Sequence, residues 1–171
     1  QPFMEVFMTV ILALTSAAGL VVIDQLLKVW AFNALPGQPS TLLIPHLLQL
    51  TYVENRGAAF GLFQGGVTVL SVLTGLILIG AVVFLVMGKL KHKLAIWSVS
   101  LIIAGGIGNL IDRIIRGFVV DYLDISPLFR FPVFNFADCC VVVGTTLLII
   151  YLFFFDESAE KKQQKDGESI E

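Results

Sequence analysis

The sequence predicts a mainly α, polytopic membrane protein: four transmembrane helices with a small extracytoplasmic β-sheet. Three observations carry this. Hydrophobic residues make up 57% of the 171-residue chain and charged ones only 14%, with a mean hydropathy of +0.90. That is too little polar surface to coat a soluble domain of this size. Four apolar runs reach, or nearly reach, the roughly 20 helical residues that cross a hydrocarbon core of about 30 Å. Between them lie proline-bearing stretches with alternating or β-branched residues, which read as short strands.

Taken in order, the spans are expected at about 6–27, 67–87, 94–111 and 136–155. Together they form a single integral-membrane domain over 1–171. The first run is too long for a cleaved secretory signal, and no small-x-small site leads into a soluble domain, so it is expected to be retained as a span. Irregular backbone cannot face lipid, so four packed helices are the economical solution. Ala104 and Gly108, four apart on the third span beside Gly105 and Gly106, allow close helix approach. The short Lys89-Leu90-Lys91-His92-Lys93 link is expected on the cytoplasmic side. Both termini then lie there, including the charged tail 156–171, which reads as a solvated, disordered segment. The outer segments are about 28–66 and 114–135. The first contains an alternating piece, Leu48 to Val53, and the second two β-rich pieces, Phe118 to Leu123 and Phe129 to Phe134.

Polar residues are few, and they gather. Asp24, Asn109, Asp112, Asp121, Asn135 and Asp138 all fall near the outer end of the predicted bundle. Ionisable groups at the lip of a membrane are costly, and several at one level suggest a site. The bland alternative is a ring of snorkelling or capping residues. Asp112, Arg113 and Arg116 can form ion pairs that anchor the end of the third span, or contact substrate directly. Asn135 and Asp138 stand at capping-box spacing for the fourth span. Asp121 sits within the extended FVVDYLD piece, where burial should raise its pKa. Asp124 is expected to face solvent. If Asp121 and Asp138 meet, they share a proton, and the pair can activate a water and protonate a scissile group.

Other chemistries find no support. There is no GxSxG elbow, no HExxH and no phosphate-binding glycine loop. Cys139 and Cys140 are adjacent, which implies no disulfide framework, and they read as small packing residues. A net charge of −2 argues against a nucleic-acid partner.

These residues resemble bacterial lipoprotein signal peptidase, the signal peptidase II family. The matching pieces are Asp24-Gln25 with Lys28, Asn55-Arg56-Gly57-Ala58-Ala59-Phe60, Gly108-Asn109-Leu110-Ile111-Asp112-Arg113, Gly117-Phe118-Val119-Val120-Asp121-Tyr122, and Phe134-Asn135-Phe136-Ala137-Asp138. They occur in the family's order, from the first span to the fourth. The resemblance implies an inner-membrane aspartic endopeptidase, independent of metal and without a cofactor. Its substrates would be prolipoproteins bearing a diacylglyceryl cysteine, cut just before that cysteine. Asp121 and Asp138 resemble the family's catalytic dyad. Asn55, Asn109, Asp112, Arg113 and Asn135 match positions that orient substrate or hold the site, and Asp24 matches a structural support. Arg56, Gly57 and Ala137 lie inside the matched motifs, and Arg116 joins them as an anchor. The resemblance further implies a β-cradle and a mobile lid within 28–66, contact with membrane lipid, inhibition by cyclic peptides of the globomycin type, and a monomer. Cys139 stands where the family often has Ser.

The rival from another class is a small proton-coupled transporter or channel, since membrane carboxylates also mark proton paths. It would place acidic groups at several depths.

Overall fold

The computed structural model describes residues 2–57 and 66–155. The predicted lid, the Ala58-Ala59-Phe60 end of one motif and the predicted tail fall wholly or partly on residues outside these. The elements run α1 (Pro2–Ala34), β1 (Thr41–Ile44), β2 (Leu48–Asn55), α2 (Val67–Val86), α3 (Lys93–Arg116), β3 (Val119–Asp124) and α4 (Phe136–Phe154). All four helices are long and apolar enough to cross a membrane.

α1 outruns its predicted end. It continues to Ala34, about 50 Å of helix in all, and stops where Pro36 pushes its predecessor out of the α region. Lys28, expected in an outer loop, therefore lies on the helix. α3 likewise passes 111 and ends at Arg116, where Gly117 takes the left-handed conformation (φ 75°) and its N–H bonds to the Arg113 carbonyl. Arg113 and Arg116 thus project from a helix rather than a loop.

The strands form one antiparallel sheet in the order β1-β2-β3. β1 was not foreseen. The predicted strand Phe129 to Phe134 does not form: among the described residues only an isolated bridge joins Phe134 to Leu123. Pro127 precedes this piece and Pro132 lies within it, and neither has a ladder donor. In β2, a register shift between Leu50 and Val53 sets Val53 opposite Asp121 and Asn55 opposite Val119. Phe118, Val120 and Tyr122 pack with Ala31, so the sheet rests on the C-terminal end of α1.

α3 is the central helix. Half of its apolar window is buried, against about a fifth or less for the other three. α4 packs on it through glycines. A methyl added to Gly105 would collide with the Ala137 carbonyl oxygen, and one on Gly144 would lie 2.7 Å from the Ser98 carbonyl oxygen. Both obstacles are backbone and cannot swing aside. Gly105→Ala is expected to lower stability by about 1–3 kcal/mol, read as a fall in thermal midpoint in detergent.

Candidate active site

Four elements end at the same level: the last third of α1, the last turns of α3, strand β3 and the first turn of α4. Each sends polar side chains into one buried network. Asp138 is the third residue of α4. Asn135 caps that helix, its side-chain oxygen accepting from the Asp138 N–H at 3.0 Å. The Asp138 carboxylate accepts in return from the Asn135 N–H at 3.1 Å, a reciprocal capping box. Its other oxygen accepts from Asn109 Nδ2 at 2.8 Å.

Asp121 points into the same space from β3. One carboxylate oxygen accepts from Asn135 Nδ2 at 2.6 Å, the other from Asn55 Nδ2 at 3.0 Å. Asn55 is itself held in place because its side-chain oxygen accepts from the Gly57 N–H. Asn135 is thus the link: its backbone N–H holds Asp138 while its amide holds Asp121. Asp121 is almost fully buried. Burial lifts its carboxyl from the ordinary 3.8 to about 6, and the nearby Asp138 charge adds to the rise, while the Asn55 and Asn135 donors and Lys28 oppose it.

That shift has a consequence for stability. The folded pKa is raised, so the linked stability is full below 3.8 and is lost as pH rises through about 6. Asp121→Asn does not titrate. It is therefore expected to gain about 2 kcal/mol on the wild type between about pH 4 and pH 7. Thermal midpoints of both proteins across that range check the sign.

A second network lies behind the first, and sequence reasoning did not assign its hub. Lys28 is wholly buried. Its ammonium meets Asp24 at 3.0 Å, Asp112 at 3.5 Å and Asn109 Oδ1 at 2.8 Å. Each partner reaches on toward the carboxylates. Asp24 accepts from the Ala137 N–H at 3.0 Å, next to Asp138. Asp112 accepts from the Val120 N–H at 2.9 Å, next to Asp121. Asn109 donates to Asp138 directly. Gln25 adds a bond to the Gly108 carbonyl at 3.0 Å, and Arg116 pairs with Asp112. The signal for Lys28 was its i,i+4 spacing from Asp24, which was masked by placing it beyond the helix end.

The remaining expectations divide. Asp24, Asn55, Gly57, Asn109, Asp112, Arg116, Asn135 and Ala137 are brought together with Asp121 and Asp138. Arg113 is half-buried near both carboxylates and makes no hydrogen bond or ion pair among the described residues. Arg56 is not part of the network. It is exposed, pairs with Glu54 at 2.8 Å and covers the Phe118 ring. Asp124 corrects an expectation: it is buried, not solvent-facing. Burial disfavours its charge, yet bonds from Gln49, Ser126 and Thr51 outweigh this and hold its carboxyl at about 2. It pins β2 to β3 beside the register shift.

Fold and site together define a multi-pass membrane protein with two amide-linked carboxylates at one end of its helices, an arrangement suited to hydrolysis. Comparison with known proteins gives the family. The family described as Signal peptidase (SPase) II matches residues 16–154. A lipoprotein signal peptidase of Clostridium acetobutylicum is 43% identical over 130 residues, covering 75% of this chain and 84% of that protein. One from Clostridioides difficile is 42% identical over 122 residues, covering 71% and 81%. A bacterial membrane enzyme structure obtained by the in meso method at 2.3 Å superposes with a TM-score of 0.78 at 34% identity, covering 90% of this chain and 91% of that one. A second, at 1.9 Å, gives 0.76 at 36% identity, covering 86% and 94%. The chain belongs to the signal peptidase II family.

Proposed function

We propose that this chain is an aspartic endopeptidase that removes the signal peptide from diacylglyceryl-modified prolipoproteins, cutting just before the lipidated cysteine. The observation that carries the reading is the linkage of Asp121 and Asp138 through Asn135 in a largely buried polar network at one end of the bundle. With one proton shared by the pair, the ionised carboxylate takes a proton from water as that water attacks the scissile carbonyl. The protonated carboxyl donates to the carbonyl oxygen. Collapse of the tetrahedral intermediate breaks the C–N bond, and a proton returned from the pair leaves with the amine. The titration belongs to the pair rather than to either residue. Arg113, with its donors unengaged by described residues, is placed to hold the substrate backbone, and the preset carboxylates supply the orientation.

The lipid tails would hold the substrate in the bilayer and bring the bond to the level of the site. The basic Lys89–Lys93 link supports an orientation with the termini cytoplasmic and that level at the outer face of the bacterial inner membrane. A proton path, the rival reading, calls for carboxylates at several depths. α2 has none, and α4 has none after Asp138.

The test is cleavage of a lipidated prolipoprotein by the purified chain, with the products mapped by mass. One cut is expected, leaving the lipidated cysteine as the new N-terminus, with full activity in chelator. A cut elsewhere, or a large loss in chelator, would sink the reading.

A further inference from the structure

At the end of the bundle opposite the carboxylates, α1 and α2 each pack on α3 but scarcely touch each other. A cavity of about 660 Å³ opens between the first turns of α1 and the last turn of α2. Val6, Val10 and Leu14 form one wall and Leu85 the other. Lys91 and Lys93 stand at its rim, with Glu5 also lining it. Neither lysine makes an ion pair among the described residues. The slot therefore combines hydrocarbon walls with a net positive mouth, inside a protein that crosses a membrane.

We propose that this groove is a binding site for one anionic phospholipid, an acyl chain lying along Val10 and Leu14 and the phosphate resting on Lys91 and Lys93. An apolar slot open to a bilayer fills with hydrocarbon rather than water, since water there would lack polar partners. What chooses among lipids is the mouth. Lysines near a membrane surface attract anionic headgroups, and a net positive rim favours phosphatidylglycerol over a zwitterionic lipid of the same chains. The same charge repels the basic leading end of a signal peptide. The site lies more than two helical turns from Asp24, since Leu14 precedes it by about 15 Å of helix. It does not depend on the aspartic reading.

The experiment is native mass spectrometry of the full chain in detergent with palmitoyl-oleoyl phosphatidylglycerol or phosphatidylcholine. One phosphatidylglycerol is expected to be retained, preferred by roughly tenfold. Lys91→Gln with Lys93→Gln removes the preference. Lys89→Gln, in the same link but not lining the groove, leaves it intact. Leu14→Trp fills the slot and abolishes retention of both lipids. A preference that survives the double substitution, or falls equally with Lys89→Gln, reflects diffuse surface charge and overturns the proposal. Retention that emerges only after removal of residues 156–171 would assign the groove to that segment, and likewise overturns it.

Discussion

Asp121→Asn and Asp138→Asn are each expected to lower prolipoprotein cleavage by about 10²–10⁴-fold or more, the usual range for removing a general acid or base. Asparagine keeps the shape and one of the two acceptor oxygens at each position, but cannot carry or accept the proton. Neither substitution empties a cavity, so the variants are expected to fold. Because the two groups act as a unit, the double variant is expected to be no worse than either single one. Initial rates on a lipidated substrate, with the folded fraction measured by size-exclusion chromatography, decide this. Near-normal cleavage by either variant removes that residue from the pair.

Lys28→Met should damage both fold and activity, though Lys28 touches neither Asp121 nor Asp138. The ammonium is wholly buried between Asp24 and Asp112. Its removal leaves two buried carboxylates with Arg116 as the remaining basic partner. Breaking a buried charge cluster in this way costs about 3–5 kcal/mol. Whatever folds loses the restraints that reach the Ala137 and Val120 N–H groups, so activity is expected to fall by about 100-fold, the scale of a misplacement near 1 Å. Adding Asp24→Asn removes one uncompensated charge and should restore part of the stability. Thermal unfolding of the single and double variants checks this. A double variant no more stable than Lys28→Met alone would show that charge balance is not what Lys28 supplies.

Sequence patterning was informative where one element decides its own structure. The apolar runs located all four helices, and the spacing of Asn135 and Asp138 announced a capping box that the structure contains. Boundaries were less legible. α1 and α3 overran their predicted ends because polar residues near a helix end read as departure from the membrane, whereas Lys28 and Asp112 are buried against each other. Strand assignment failed at Phe129 to Phe134 because β-rich composition does not outweigh a proline inside the piece: Pro132 has no ladder donor, and only Phe134 bridges β3.

The sequence by itself determined that this is a four-span membrane protein, that Asp24, Asn109, Asp112, Asp121, Asn135 and Asp138 gather at one end, and, through motifs in fixed order, which family it resembles. Hydropathy and helix geometry suffice for the first two, because crossing a bilayer leaves the chain few choices. Only the tertiary structure decided which polar groups meet. Asp121 reaches Asn135 because Asp112 holds the Val120 N–H and the irregular pairing of β2 brings Asn55 within reach. Asp138 reaches Asn109 because glycines let α4 lie close against α3. Periodicity reports which face of one element is buried. It carries no information on how faces from α1, α3, β3 and α4 are brought to a common point, and that depends on packing distances and register between elements remote in the chain.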